Sequence, residues 1–237
     1  MESSPMIGYD ELDYFTREGY CKLPRLLSRA ETAEIRRSLF RLMEDAAGGA
    51  RCLPSLRFAH NQSLFECVQG LDRADPFFAG LLNDARFENA AAQLLGCAVR
   101  PLWVHFRNSA AGFDGISPHQ DCSDTNLDTP HALSFWVSLG NYGKESGCLY
   151  YLPRSHLNAF RNDLTQAVVC EPLPEPPSIS VETHDGDVLC HHWFTVHGSR
   201  PNRVAPERWA VMLCFCEASA QFMSRAEWIT KYGRQIS

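Results

Sequence analysis

The sequence has no basic surplus: 22 Lys and Arg against 28 Asp and Glu give a formal charge of -6 and a pI near 5.8, with no cluster of Lys or Arg. Nothing in it would neutralise a run of phosphates, so nucleic acid is not an expected partner. No apolar run approaches the length needed to cross a membrane. The opening MESSPMIGYDELDYF carries acids where a secretory leader needs a basic start and an apolar stretch, so a cytoplasmic protein is expected. Ten cysteines are scattered through apolar contexts without a C-x-x-C pair, which speaks against a zinc knuckle or a dithiol redox motif and for buried, reduced thiols. Internal repeats are absent, and the one compositionally biased stretch, residues 171–177 (EPLPEPP), reads as an extended surface connection.

What is present suits one globular domain over residues 1–237, since 45% hydrophobic residues can bury a substantial core. The first part, about 1–97, reads as helical. A short helix is expected over Leu12 to Glu18, ending at Gly19, with Tyr20 to Leu23 extended behind it. Ser28 and Glu31 form a capping box ahead of Ile35, Leu39, Leu42 and Met43, which predicts a helix over Arg29 to Glu44. Asp75-Pro76 starts another helical stretch, and Phe87 to Leu95 continues helical to Gly96.

From about 98 to 217 the pattern changes to short runs of β-formers punctuated by Gly, Pro, Asn and Asp. Strands are expected over Val99 to Phe106, Ala132 to Leu139, Cys148 to Leu152, Ser178 to Thr183, Asp187 to Phe194 and Trp209 to Cys216. Closely spaced strands without helices between them predict a mostly β fold with flanking α: a jelly-roll or cupin-like double-stranded β-helix core carrying N-terminal helices.

His119 and Asp121 are one residue apart, so on extended backbone their side chains share a face and reach one ion. Nine His and thirteen Asp give about half an H-x-D by chance in such a chain, so the pair alone decides nothing. Its setting, GFDGISPHQD over 112–121, is a strand edge or loop, where sites are built. A third ligand from a remote strand would complete a two-His, one-carboxylate set with open positions, the kind that suits non-haem iron(II). His197, 76 positions on, fits; His191 and His192 compete for the role, and His184 with Asp187 offers a separate cluster. In a strand from Asp187, residues 187, 189, 191 and 193 share one face, which turns His191 inward and His192 outward. Arg208, eleven residues after His197, starts the next strand and can pair bidentately with a carboxylate.

The chain resembles the phytanoyl-CoA dioxygenase family of iron(II)/2-oxoglutarate oxygenases in an ordered set of segments. These are FTREGYCKLP (15–24), His119-Gln-Asp121, FWVSL (135–139), SGCL (146–149), LPRSH (152–156), GDVL (186–189), His197-Gly-Ser199, Asn202 and Arg208. The resemblance implies that His119, Asp121 and His197 bind Fe(II) and that Arg208, helped by Ser199, holds the cosubstrate 2-oxoglutarate with Trp136 beside it. It assigns Gly186-Asp187 to a structural turn, against a second metal cluster. Ser146 and Arg154 depart from the family's usual Asn and Gly, and Asp121 is the carboxylate that a halogenase variant would lack. Expected chemistry is the reaction of O2 and 2-oxoglutarate to hydroxylate an unactivated C–H bond of a small metabolite or natural product. No basic cluster speaks for a CoA group. Candidate substrate contacts are His105, Arg107, Gln120 and His131, which flank the metal segments in sequence. The rival readings are a metal-binding jelly roll without oxygenase activity, such as a cupin-like isomerase or hydrolase, and an idle binding module.

Overall fold

A computed structural model describes residues 7–49, 56–58, 65–124, 126–157 and 178–232. The Pro-rich stretch 171–177, Cys52 and Cys170 lie outside them. The chain opens with α1 (Tyr9–Glu18), closed by Gly19 in the left-handed conformation, and β1 (Tyr20–Leu23). Helix α2 (Arg29–Ala47) begins at the expected capping box: Ser28 N donates to Glu31 Oε2 at 2.7 Å and Glu31 N donates back to Ser28 Oγ at 3.3 Å. After β2 (Leu56–Phe58) and β3 (Phe65–Gln69) come α3 (Leu71–Ala74), α4 (Pro76–Leu82) and α5 (Ala85–Leu95). Asp75 caps α4 by accepting from Phe77 N at 2.9 Å. The β region holds β4 (Val99–Asn108), β5 (Ile116–His119), β6 (Ala132–Ser138), β7 (Leu149–Tyr151), β8 (Ile179–Val181), β9 (Val188–His192), β10 (His197–Ser199) and β11 (Trp209–Glu217), before α6 (Arg225–Tyr232). Among the described residues, no helix is long and apolar enough to cross a membrane.

These strands form two antiparallel sheets in a jelly roll: seven strands in the order β1-β9-β6-β11-β4-β3-β2, and four in the order β5-β10-β7-β8. Helices cover one face of the larger sheet, where Leu133, Phe135, Val137, Val188, Cys190, Val211, Leu213 and Phe215 pack against Phe15, Ile35, Leu39, Phe78 and Phe87. Because strand side chains alternate, the residues between them point the other way, toward the smaller sheet. Each fully buried Phe on the helix side contributes about 2–3 kcal/mol of transfer free energy. Every residue of β6 is buried, as expected of a strand covered on both faces.

Two expectations are corrected. Strands β2, β3, β5 and β10 and helices α3 and α6 add to the predicted set, β5 and β10 being short strands held by pairing with one another. Asp121 does not continue the extended backbone of His119; it opens a 3-10 turn over Asp121–Asp124. Gly186 and Asp187 form a turn that ties β9 to the helical layer. Asp187 accepts from Arg25 N and His184 N and pairs with Lys22 at 2.8 Å, the structural role expected of this turn. The turn requires glycine, since φ is +86° at Gly186 and a Cβ there would lie 2.2 Å from the Leu27 carbonyl oxygen.

Candidate active site

His119 ends β5 and His197 begins β10, and the two residues face each other directly in the antiparallel register of the smaller sheet. Gly198 permits the approach: a Cβ there would lie 2.4 Å from the Ile116 carbonyl oxygen and 2.5 Å from the Tyr150 hydroxyl. The two imidazole centroids are 4.3 Å apart. Asp121, brought round by the 3-10 turn, puts Oδ1 3.7 Å from His119 Nε2 and 3.7 Å from His197 Nε2. One ligand atom from each of the three lies within 4.8 Å of the others, a group that can hold a metal ion.

The tautomers are set for this. His119 Nδ1 lies 2.9 Å from the Ser117 carbonyl and His197 Nδ1 3.0 Å from the Thr195 carbonyl. A carbonyl only accepts, so each Nδ1 carries the proton and each Nε2 presents a lone pair to the centre. Burial, reinforced by His191 and His119 alongside, keeps His197 far below its ordinary pKa and therefore neutral. Burial alone would raise the pKa of Asp121; the hydrogen bond that His191 gives to Oδ2 works against it, and the carboxyl is held below its usual range.

On the facing inner surface of the larger sheet, residues align across the strands in rows. His191, Ser134 and Cys214 make one, Leu189, Trp136, Met212 and His105 the next, and Ser138, Ala210 and Arg107 a third. Arg208, just before β11, is 1% exposed, with its guanidinium 4.9 Å over the Trp136 ring and Nη2 donating to Ser109 Oγ at 3.2 Å. Its Nε has no hydrogen-bond partner, and no carboxylate pairs with it among the described residues. Burial lowers its pKa to about 10, which leaves it a cation at neutral pH. Ser199 shares the inner face of β10 with His197; its hydroxyl oxygen accepts from Ile116 N at 3.0 Å.

The four substrate candidates divide. His105 and Arg107 stand half-buried on the inner face of β4. Burial, then the charge of Arg107, lowers the His105 pKa to about 4. Gln120 and His131 are not brought to the site. The Gln120 amide donates to the Phe194 carbonyl, and His131 is exposed beside a depression of about 400 Å3 on the helix side, with Phe15, Leu94, His156 and His192. Proximity in sequence misleads here because each adjoins an inward-facing element without sharing its face. His191 and His192 divide as alternation predicts: His191 is fully buried toward the site, and His192 lines that separate depression. Sequence reasoning missed Ser134, whose hydroxyl donates to Asp121 Oδ2 at 2.7 Å. Its place two residues before Trp136 on the same strand face is the signal that would have found it.

A family model for phytanoyl-CoA dioxygenase (PhyH) matches residues 15–210, from the end of α1 into β11. The chain belongs to the phytanoyl-CoA dioxygenase family. Among its family relatives, phytanoyl-CoA dioxygenase 1 of Oryza sativa subsp. japonica is 22% identical over 204 residues, covering 79% of this chain and 69% of the rice protein. Two solved structures share the fold. One is the non-haem α-ketoglutarate-dependent carbocyclase SnoK from nogalamycin biosynthesis, with a TM-score of 0.78, 21% identity and coverage of 91% of this chain and 86% of that one. The other is the epimerase SnoN in complex with Fe3+, α-ketoglutarate and nogalamycin RO, with a TM-score of 0.73, 21% identity and coverage of 92% and 88%. In this PhyH-family chain the His-Asp-His group and the buried Arg208 thus lie within the matched region.

Proposed function

We propose that this protein is an Fe(II)- and 2-oxoglutarate-dependent dioxygenase that hydroxylates an unactivated C–H bond of a small molecule. The observation that carries this reading is the juxtaposition of two kinds of group. One is a preset His-Asp-His set; the other is a buried guanidinium with an unsatisfied Nε and no carboxylate partner among the described residues. A buried, unpaired cation is costly, and a dicarboxylate bound at the metal would complete it. Bound iron with 2-oxoglutarate supplies the oxidising power: O2 and 2-oxoglutarate become succinate and CO2 as the substrate carbon is hydroxylated.

The chain's own groups do the rest. His119 and His197 offer Nε2 lone pairs, Asp121 offers Oδ1, and the open side of this set receives the cosubstrate. Arg208 holds the far carboxylate, Trp136 stacks beneath its guanidinium and keeps water from the pair, and the Ser199 hydroxyl assists. Neutral His105 and charged Arg107 line the inner wall open to the substrate. All eight described cysteines are free thiols, in keeping with a cytoplasmic setting. The fold relatives support a small-molecule substrate, since the carbocyclase and the epimerase both belong to nogalamycin biosynthesis.

Substrate-free turnover tests the proposal. Purified protein with Fe(II), O2 and 2-oxoglutarate is expected to release succinate slowly, and omission of either Fe(II) or 2-oxoglutarate should stop it. A metal-dependent isomerase, a hydrolase or an idle binding module would release none.

A further inference from the structure

His191 lies against the metal group without belonging to it. Its Nε2 is 3.1 Å from Asp121 Oδ2, its Nδ1 is 3.2 Å from the Tyr151 hydroxyl, and its ring centroid is 4.1 Å from that of His197. Both His191 and Tyr151 are fully buried. We propose that His191 is a positioning residue: together with Ser134 it holds Asp121 Oδ2, so that Oδ1 alone is turned toward the metal. The inference rests on the metal-site reading above and extends it to a group outside the ligand set.

The hydrogen-bond directions follow from chemistry. An ionised carboxylate only accepts, so His191 Nε2 must carry a proton and cannot also offer a lone pair to a metal. With Nε2 as the protonated nitrogen of this tautomer, Nδ1 is the acceptor and the Tyr151 hydroxyl donates to it. On the other side, the Trp193 indole only donates and gives its N–H to Ser134 Oγ at 2.9 Å, which directs the serine proton to Asp121 Oδ2 at 2.7 Å. His191 and Ser134 face each other in the β9–β6 register, so two neighbouring strands deliver two donors to one oxygen. Asp121 needs this support because it sits on a 3-10 turn rather than on a paired strand. His191 thus has the tautomer opposite to that of His119 and His197, although all three rings lie within one cluster.

The test measures Fe(II) affinity anaerobically by chelator competition on the full chain, alongside thermal unfolding. His191→Phe should weaken Fe(II) binding by about 10–100-fold, the range for lost outer-sphere support. His191→Gln, whose amide N–H reaches the same place, should recover most of the loss. If His191→Phe, folded, binds Fe(II) as tightly as the parent, or if His191→Gln binds as weakly as His191→Phe, the proposal fails while the metal site stands. A parent that binds no Fe(II) overturns the metal-site reading instead. Should His191→Phe not fold, 15N shifts of the metal-free parent, assigned with His191→Gln, decide. An Nε2-protonated His191 beside Nδ1-protonated His119 and His197 supports the proposal, and an Nδ1-protonated His191 overturns it.

Discussion

On the helix side of the larger sheet, Leu133, Phe135 and Val137 of β6 meet Phe87, Val211, Leu213 and Phe215. On the other side of the same strand, Ser134, Trp136 and Ser138 meet a carboxylate, a guanidinium and a threonine hydroxyl. Successive residues of one strand therefore serve two ends, and the two faces should answer differently to substitution. The helix face is apolar and close-packed, so it stabilises the fold through apolar surface that unfolding would expose to water. The inner face buries polar groups at a cost to stability, and its groups are justified by what they hold.

The largest expected effect on stability is on the helix side. Phe135→Ala, which removes a fully buried ring 5.3 Å from Phe87 and 5.8 Å from Phe215, should lower unfolding free energy by about 3–5 kcal/mol in urea titrations. The folded fraction should retain the parent's Fe(II) affinity. Arg208→Met reverses the pattern across the sheet. We expect the KM for 2-oxoglutarate to rise by roughly 30-fold, ~2 kcal/mol, while the metal-free protein keeps or gains stability because an unpaired buried charge is gone. A clear loss of stability with unchanged KM would erase the distinction between the faces.

A smaller effect separates the adjacent histidines. Burial, then His156 and His131, lowers the pKa of His192 to about 3. With its folded pKa below the unfolded value, the unfolded chain takes up the proton first, so stability falls as pH drops from about 6.5 toward 3. His192→Gln should flatten that acid slope in denaturant midpoints measured between pH 7 and 5, without changing Fe(II) affinity at pH 7. The smallest effect is expected far from both faces. Arg154 holds φ +64° in the loop after β7, where the family usually has Gly; Arg154→Gly should add about 0.5–1 kcal/mol of stability and leave cosubstrate binding alone.

Much of the fold is legible in the chain because the long strands alternate or run apolar and the helices carry their caps. Ser28 and Glu31, Asp75 and Pro76, and Gly96 each act as the sequence predicts. Strands β5 and β10 are not legible. They span four and three residues, include Pro118 and Gly198, and exist through pairing with partners dozens of positions away. The same limit governs the site. His119, Asp121, His197 and Arg208 stand out by residue type and order, and alternation alone turns His191 inward. Which group His191 touches depends on the turn at Asp121 and on the neighbouring strand's Ser134, information that lies in tertiary register. Gln120 and His131 stand near the metal segments in sequence alone, and along extended backbone each residue faces the opposite way from its neighbour.

The most direct test of the account is a visible absorption spectrum taken without oxygen. The protein, with Fe(II) and 2-oxoglutarate added, should develop the weak charge-transfer band of the iron chelate, and His197→Ala and Arg208→Ala should each lose or weaken it. A folded, iron-loaded parent that shows no band would contradict the assignment of 2-oxoglutarate to this site.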